Sequence, residues 1–484
     1  MSLKSAEAHW QAGRSAEALA EGWLAYDAAP DGLAEKSLLA KVLRRHPQFA
    51  TPERRESLLA LLCDRDVEPG SVAGAGWSLL TADGTLHEAP ADGMAALAAR
   101  LESDALAQAL LSEDYVADLA VEQVLTRLRA WLLRSGRWHE FPRLSAALIT
   151  QASRNGGAWP FDDDERACLE SNAGFAQAYL PKAASHLGLA NFSDPVTQAV
   201  AGQYEGWPYP AWRRITAVPP ERLARYIRKI DPNGPGGFPE PADMLIAGCG
   251  TGREAALVVQ KWPNERLTAI DISDASLRYA AERFADIGLQ GVQFHQMDLH
   301  DVAALGRPFD AILCSGVLHH LPDPERGWAA LAAALKPGGV MRIMLYSKIA
   351  RLGVRALRKT VEDLDGQTMS DDLLREVRRR IGLLPAMRHF KSPDFFTLAG
   401  VHDLIMHRHE DPFDIPRIRR ALDDLGLELV RFSIPNNEVA ARYHAQNPHD
   451  PLQRDFDGWM KLERASPGLF SGMYELWCRK SGSS

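Results

Sequence analysis

A parallel, doubly wound α/β sheet preceded by an all-α N-terminal domain is the fold class this sequence predicts. Three observations carry that reading. Residues 1–200 are rich in Ala, Leu and Glu, and their apolar residues recur at three- and four-residue steps, as at Leu125, Leu128 and Leu132. From 241 onward, short apolar runs alternate with helical stretches, which is how strand–helix–strand units look. The glycines of Gly248-Cys-Gly-Thr-Gly252 fall between the first such strand and its helix.

The chain of 484 residues is long enough for two to three domains at ~150–200 residues each. Its 46% hydrophobic and 24% charged residues exclude a largely disordered chain. No apolar run reaches the ~18–20 residues of a membrane span. The first residues turn acidic and helical at once, unlike a secretory signal, so a cytoplasmic protein is expected. The five cysteines are scattered and form no Cys-x-x-Cys pair, as expected of isolated thiols in a reducing compartment. Net charge is −8, and its origin is uneven: residues 1–200 carry 18 Lys and Arg against 27 Asp and Glu, whereas the remainder is balanced. Such a chain has no general attraction for a phosphate backbone, so neither nucleic acid nor membrane is an expected partner.

The elements follow in order. Within the helical region 1–200, residues 12–30 resemble the second half of a tetratricopeptide unit: a Gly-Arg turn, a helix with small residues, then Pro30. The pattern does not return 34 residues later, so a plain helical bundle fits equally well. Residues 69–93 are rich in Gly and loop formers and read as a break, with a short hairpin at Asp83-Gly84. Residues 201–240 form an aromatic and proline-rich lid and linker, with Gln203-Tyr-Glu-Gly-Trp-Pro-Tyr-Pro-Ala-Trp212, a helix near 219–230 and a Pro/Gly stretch from Asp231. In 241–484, strands are expected at 244–247, 267–270, 292–296, 309–313 and 340–346, with helices at 252–262, 274–287 and 324–335. Residues 350–412 are helical and charged, too long for one crossover, and read as an insertion over the rim of the sheet. A helix at 415–426 and two antiparallel strands, 427–434 and 473–479, complete the chain.

The glycine turn is where chemistry is expected. Residues without Cβ let the backbone turn tightly and a ligand lie against it. A dinucleotide fingerprint needs Gly-x-Gly-x-x-Gly, hence glycine at 253, where Arg253 stands. Asp271, at the end of the second strand, can accept two ribose hydroxyls, a feature common to several adenosyl-binding folds. Gln296-Met-Asp-Leu299 follows the third strand, Phe309-Asp-Ala-Ile-Leu-Cys-Ser-Gly-Val-Leu-His-His-Leu-Pro322 spans the fourth and its exit, and Leu335-Lys-Pro-Gly-Gly-Val340 leads into the fifth.

With these four motifs in order, the chain resembles the class I S-adenosylmethionine-dependent methyltransferases over about 240–345 and the final strand pair. The resemblance implies a Rossmann-like seven-stranded sheet of order 3-2-1-4-5-7-6 and S-adenosyl-L-methionine as cofactor. It implies that Gly248, Cys249, Gly250, Thr251 and Gly252 face the methionine part, Asp271 and Ile272 the ribose, and Asp298 and Leu299 the adenine, with Val317 also lining the cofactor. More loosely, 203–212, 402–416 and 473–480 resemble a bacterial group whose methyltransferase core follows a helical or tetratricopeptide-like region.

Methyl transfer is an in-line displacement, so the protein must align nucleophile, methyl and sulfur and keep the nucleophile deprotonated. Candidate catalytic residues are Tyr204 and Tyr209 in the lid and His319 and His320 at the fourth-strand exit. Each has a structural alternative: the aromatics can staple two domains together, and one of the histidine rings can simply hold the loop. The run His402, His407, His409, Glu410 and Asp411 reads as a substrate-facing segment, a polar helix end or a metal cluster. It lacks His-Glu-x-x-His spacing, so no metal is expected. The Asn/Asp-Pro-Pro-Tyr/Phe motif of enzymes acting on planar amino groups is absent, and so is the glutamate pair of protein arginine methyltransferases. The favoured acceptor is a protein or peptide side chain such as a lysine amine. The alternatives are a small-molecule N- or O-acceptor and a non-catalytic cofactor-binding scaffold. A nicotinamide oxidoreductase is disfavoured by Arg253 and by the later motifs. The acidic helical region is expected to dock a basic partner or to mediate a homodimer.

Overall fold

Seven strands form one sheet in the computed structural model, which describes residues 3–87, 93–171, 194–232, 234, 237–385, 387, 392–434, 437–470 and 472–481. They are β1 (Asp243–Ala247), β2 (Arg266–Asp271), β3 (Val292–Gln296), β4 (Phe309–Ser315), β5 (Leu335–Tyr346), β6 (Leu427–Ser433) and β7 (Met473–Lys480). Their spatial order is 3-2-1-4-5-7-6. The first five are parallel, and β7 runs antiparallel between β5 and β6.

Alternation along β1 shows why helices cover both faces. Leu245 and Ala247 point into a core with Trp328, Leu331, Ile418 and Trp459, whereas Met244 and Ile246 point to the opposite core with Ile227, Ala255 and Phe284. The chain runs outward from β1 to β3 on one side and returns to β4 on the other. The carboxyl ends of β1 and β4 therefore flank the switch point where ligands bind in open α/β sheets.

β5 begins at Leu335, earlier than the apolar run from 340 suggests. Leu335 pairs with Phe309 across a bulge, which draws Lys336-Pro-Gly-Gly339 into the strand. A Cβ on Gly339 would lie 3.0 Å from the backbone oxygen of Asp310, so this approach needs glycine.

The break expected at 69–93 is a correction. Residues 73–81 are helical (Ala73–Thr81), and Asp83-Gly84 forms a turn, with no strand among the described residues there; 88–92 lie outside them. Packing overrides the low helix propensity of glycine: a Cβ on Gly76 would sit 3.0 Å from Leu110 Cδ1, so glycine lets the two helices meet. Helices fill the rest of 3–171, and 172–193 lie outside the described residues, as do 233, 235 and 236 of the expected linker. Two helices unforeseen from the sequence, Asn437–Gln446 and Phe456–Ala465, stand between β6 and β7 and bury Tyr443 against Trp459, ring centroids 3.8 Å apart.

The insertion does more than cover the rim. Its helices Asp371–Gly382 and Leu398–Ile405 place Leu374, Val377, Ile381, Leu398 and Val401 in one core with Leu39, Leu61, Leu110 and Leu125 of the N-terminal helices. A buried ion pair, Arg378 with Glu122, ties the two stretches together. The helical part also reaches the glycine turn, because the Arg253 guanidinium pairs with Glu68 at 2.7 Å. Among the described residues, no helix is long and apolar enough to cross a membrane.

Candidate active site at the carboxyl edge of the sheet

The turn after β1 is built by hydrogen bonds to β2. The N–H groups of Gly248 and Cys249 donate to the Ile270 carbonyl at 2.8 and 2.9 Å, and Gly250 N–H donates to Asp271 Oδ2 at 2.7 Å. Gly248 and Gly250 have φ of +72° and +52°, a region costly for residues with a side chain. A Cβ on Gly248 would lie 2.3 Å from Val317 Cγ2, and one on Gly250 would lie 3.2 Å from the Tyr209 carbonyl oxygen. The turn is thus closely covered by the β4 exit loop and by the lid. Thr251 Oγ1 donates to the Pro210 carbonyl at 2.6 Å, and Trp212 Nε1 donates to the Thr251 carbonyl at 2.8 Å. Gly252 precedes the helix Arg253–Lys261, and burial pushes the Cys249 thiol up, well out of thiolate range at neutral pH.

Asp271 is 9% exposed at the end of β2. Its Oδ2 accepts from Gly250 N–H and its Oδ1 from Ser273 N–H at 2.9 Å, while Ser273 itself caps the next helix through Ser276 N–H. Burial raises its pKa, and these hydrogen bonds oppose the rise. Each carboxylate oxygen has one further acceptor position, so Asp271 can still receive the two hydroxyls of a ribose. The donor set therefore fits an adenosyl cofactor, with glycine where no side chain would be tolerated.

Ile272 follows Asp271, half-buried, and its carbonyl accepts from Gln296 Nε2 at 3.0 Å. Asp298 caps the turn after β3, accepting from His300 N–H and pairing with His300 Nδ1, each at 2.9 Å. Burial works against its ionisation, but the His300 bonds prevail and lower its pKa. Leu299 buries its side chain in the core, which leaves its backbone to face a ligand.

The four candidate catalytic residues separate. His319 is fully buried. Its Nδ1 accepts from Tyr346 N–H at 3.2 Å, and its carbonyl accepts from Asp411 N–H at 2.8 Å, so it joins the exit loop to β5 and the insertion. Tyr204, Tyr209 and His320 come together with four residues from outside that set: Tyr346 at the end of β5, and Asp394, Asp403 and His407 of the insertion. Tyr204 OH donates to Asp403 Oδ1 at 2.8 Å and Tyr346 OH to Asp403 Oδ2 at 3.4 Å. Tyr209 OH donates to Asp394 Oδ1 at 2.5 Å, and Ser392 Oγ donates to Asp394 Oδ2 at 2.9 Å. His320 stacks on His407, centroids 3.6 Å apart, and its Nδ1–H donates to the His409 carbonyl at 2.8 Å. Gln203 and Tyr204 lie in the helix Pro195–Gly206, so the lid begins inside a helix.

His320, Asp403 and His407 offer atoms within 4.8 Å of one another. However, His407 Nδ1 accepts from His409 N–H at 3.1 Å, which puts the ring proton on Nε2. That N–H meets Tyr204 O at 3.2 Å, and the tyrosyl proton continues to Asp403. In this arrangement the Tyr204 hydroxyl bridges His407 and Asp403. The rest of the run is structural: Glu410 holds Arg351 and Arg358, Asp411 holds Arg417, and His402 packs edge-on against Trp207.

Buried carboxylates in this molecule are held either by a basic side chain or by neutral donors alone, as Glu463 is by the Ser347 and Tyr474 hydroxyls. Buried Glu122, Glu165, Glu410 and Asp231 are each paired with arginine. Asp403, 6% exposed, and Asp394 are held only by hydroxyls, with no ion-pair partner among the described residues. Burial, then the neighbouring charge of Asp394, pushes Asp403 up to about 6 against the pull of the Tyr204 hydrogen bond. Burial likewise raises Tyr204, Tyr209 and Tyr346 well above 10.0 and lowers His320 to about 4. Sequence alone flagged the stretch around 402–411 but not Asp394 or Tyr346, since neither lies in a recognisable motif.

A family model described as a methyltransferase domain matches residues 245–341. An uncharacterized protein of Synechococcus sp. is 34% identical over 297 residues, covering 57% of this chain and 71% of that one. Trans-aconitate 2-methyltransferase of Azoarcus sp. is 32% identical over 121 residues, 25% of this chain and 46% of that enzyme, so the chain spans less than half of that relative. Among solved structures, PKMT2 from Rickettsia typhi in complex with AdoHcy aligns with a TM-score of 0.40 at 13% identity, over 55% of each chain.

Proposed function

We propose that this chain, which belongs to the class I S-adenosylmethionine-dependent methyltransferases, places its methyl group on an amine nitrogen. The observation that carries the reading is Asp403: a buried carboxylate held by Tyr204 of the lid, whose Tyr209 covers the glycine turn, and by Tyr346, with no ion-pair partner among the described residues. A buried charge without a counterion is costly, and an ammonium group relieves that cost. Carboxylate acceptors of the trans-aconitate kind would instead meet Asp403 and Asp394, while Arg351, whose guanidinium lies over Tyr346, is already engaged by Glu410.

S-adenosyl-L-methionine supplies a methyl group activated on a sulfonium. In this reading the methionine part would lie against the glycine backbone of the turn Gly248 to Gly252, Asp271 would hold the ribose hydroxyls, and Asp298 with the Leu299 backbone the adenine. Asp403 and the tyrosyl oxygens accept the N–H hydrogens of the acceptor, which fixes the orientation of its lone pair once the ammonium has released one proton to bulk water. As the new N–C bond would form and the methyl carbon–sulfur bond break, its electron pair leaving with the neutral thioether, positive charge would grow on the nitrogen, where Asp403 is placed to stabilise it. His407 and Tyr204 keep the carboxylate oriented. The lid, with Tyr209 over Gly250, excludes water.

The test is transfer of labelled methyl groups to a panel of primary amines and a matched panel of carboxylic acids, with lysine-containing peptides among the amines. Label in amines is expected, with Asp403→Asn lowering kcat/KM by ~10- to 100-fold, the value of a hydrogen bond to a charged group. Label only in carboxylates would refute the reading.

A further inference from the structure

Two tyrosine–aspartate pairs stand side by side in this site. Tyr204 and Tyr209 leave the same lid, five residues apart, and each donates to a different carboxylate: Tyr204 to Asp403 at 2.8 Å and Tyr209 to Asp394 at 2.5 Å. Both carboxylates come from one short stretch of the insertion, Asp394 in the turn Pro393–Phe396 and Asp403 in the helix that follows. Tyr115 of the N-terminal region touches that turn, its hydroxyl 3.5 Å from the Pro393 carbonyl. Asp403 serves the reacting nitrogen in the reading above, but nothing in that chemistry uses Asp394. Neither carboxylate has an ion-pair partner among the described residues; Asp403 is buried and Asp394 half-buried, each held by hydroxyls alone. Two like charges in one enclosure repel, and the charge of Asp394 adds to burial, the larger cause, in raising the pKa of Asp403.

We infer that the acceptor carries two ammonium groups a short aliphatic chain apart: one enters at Asp403 and is methylated, and the second remains protonated and is held by Asp394, Tyr209 and Ser392. This rests on the amine reading and narrows it. The apolar chain between the two charges would lie along the tyrosine rings. Such chemistry has two sources, a free diamine or a lysine side chain next to a second basic group in a peptide.

The experiment compares kcat/KM for α,ω-diamines of three to five carbons with n-alkylamines of equal length, and for dibasic peptides with peptides holding one lysine. A diamine or dibasic peptide should exceed its single-charge counterpart at least tenfold, and whichever does so identifies the source. Asp394→Asn should collapse that ratio at least fivefold, whereas Asp403→Asn slows both members of a pair and keeps the ratio. A second measurement needs no variant: a bis-quaternary alkyl diammonium, which cannot be methylated, should inhibit the wild-type protein at least tenfold better than its mono-quaternary counterpart. Equal turnover of the paired substrates, equal inhibition, or a ratio untouched by Asp394→Asn overturns the inference and leaves the amine reading standing. Methylation of no amine at all refutes the amine reading itself.

Discussion

Replacing Asp271 with Asn keeps the shape of the side chain and reverses one of its two polar atoms. In the wild-type protein both carboxylate oxygens accept backbone N–H groups, from Gly250 at 2.7 Å and from Ser273 at 2.9 Å. The amide of Asn has one oxygen and one NH2, so one of those buried N–H groups would face another donor. That loses one charge-assisted hydrogen bond, worth about 1.5–3 kcal/mol, and leaves a buried donor unpaired at a comparable cost. The Gly250 N–H belongs to the turn that cradles the cofactor, so a share of this loss falls on binding. Each ribose hydroxyl also meets a weaker acceptor. Cofactor affinity is expected to fall by at least ~10-fold and by up to ~100-fold. Isothermal titration with S-adenosylmethionine reads the affinity, and circular dichroism checks that the variant is folded. An affinity within threefold of wild type in a folded variant would refute the assignment of Asp271 to the ribose.

The remaining expectations concern the acceptor side and the packing. Asp403 titrates near about 6 and acts as a carboxylate, so kcat/KM should fall as pH drops through about 6, and this acidic limb should vanish in Asp403→Asn. The groups that face Asp403 are Tyr204, Tyr209, Tyr346, His320, His407, Asp394, Arg351 and Glu410; the tyrosines and arginine keep their charge state throughout that range, and burial keeps both histidines neutral in it. Gly248→Ala puts a methyl 2.3 Å from Val317 Cγ2 at φ +72°, which should cost about 2–4 kcal/mol in denaturant unfolding. Val317→Ala in the same chain should return part of that loss, and no recovery would mean that backbone strain alone is responsible. Glu122→Ala strands the buried Arg378 guanidinium and should cost about 3–5 kcal/mol by the same measurement, against less than about 1 kcal/mol for Glu140→Ala, whose partner Arg137 is exposed.

The sheet is legible because β1 and β4 carry apolar runs flanked by turn residues, β3 and β6 alternate apolar with polar residues, and the glycines after β1 and the acid ending β2 stand in fixed relation to those runs. β5 was misplaced at its start because glycines normally end strands, whereas Gly339 is needed for a close approach to Asp310. The helices Asn437–Gln446 and Phe456–Ala465 are short and polar, and stacking of Tyr443 on Trp459 stabilises them without a periodic signature. The proposed cofactor half of the site depends on local spacing, which a single sequence displays. The acceptor half depends on Tyr204 meeting Asp403, 199 residues away, and Tyr209 meeting Asp394, 185 residues away. Pairings at such separations are set by tertiary packing, which a single sequence does not display.

The core shared by the N-terminal helices and the insertion constrains the order in which the chain can mature during synthesis. Leu39, Leu61, Leu110 and Leu125 leave the ribosome early, yet Leu374, Val377, Ile381 and Val401, which complete their core, are made only after the first five strands. The core of the helical part is therefore complete only once residues up to 401 have been made, and closure of so long a loop is slow. A chain arrested before 350 would present an open apolar groove along its helices, a natural substrate for chaperones and a site for self-association. The acceptor site, whose carboxylates arrive with that same late segment, becomes complete only as the groove is covered.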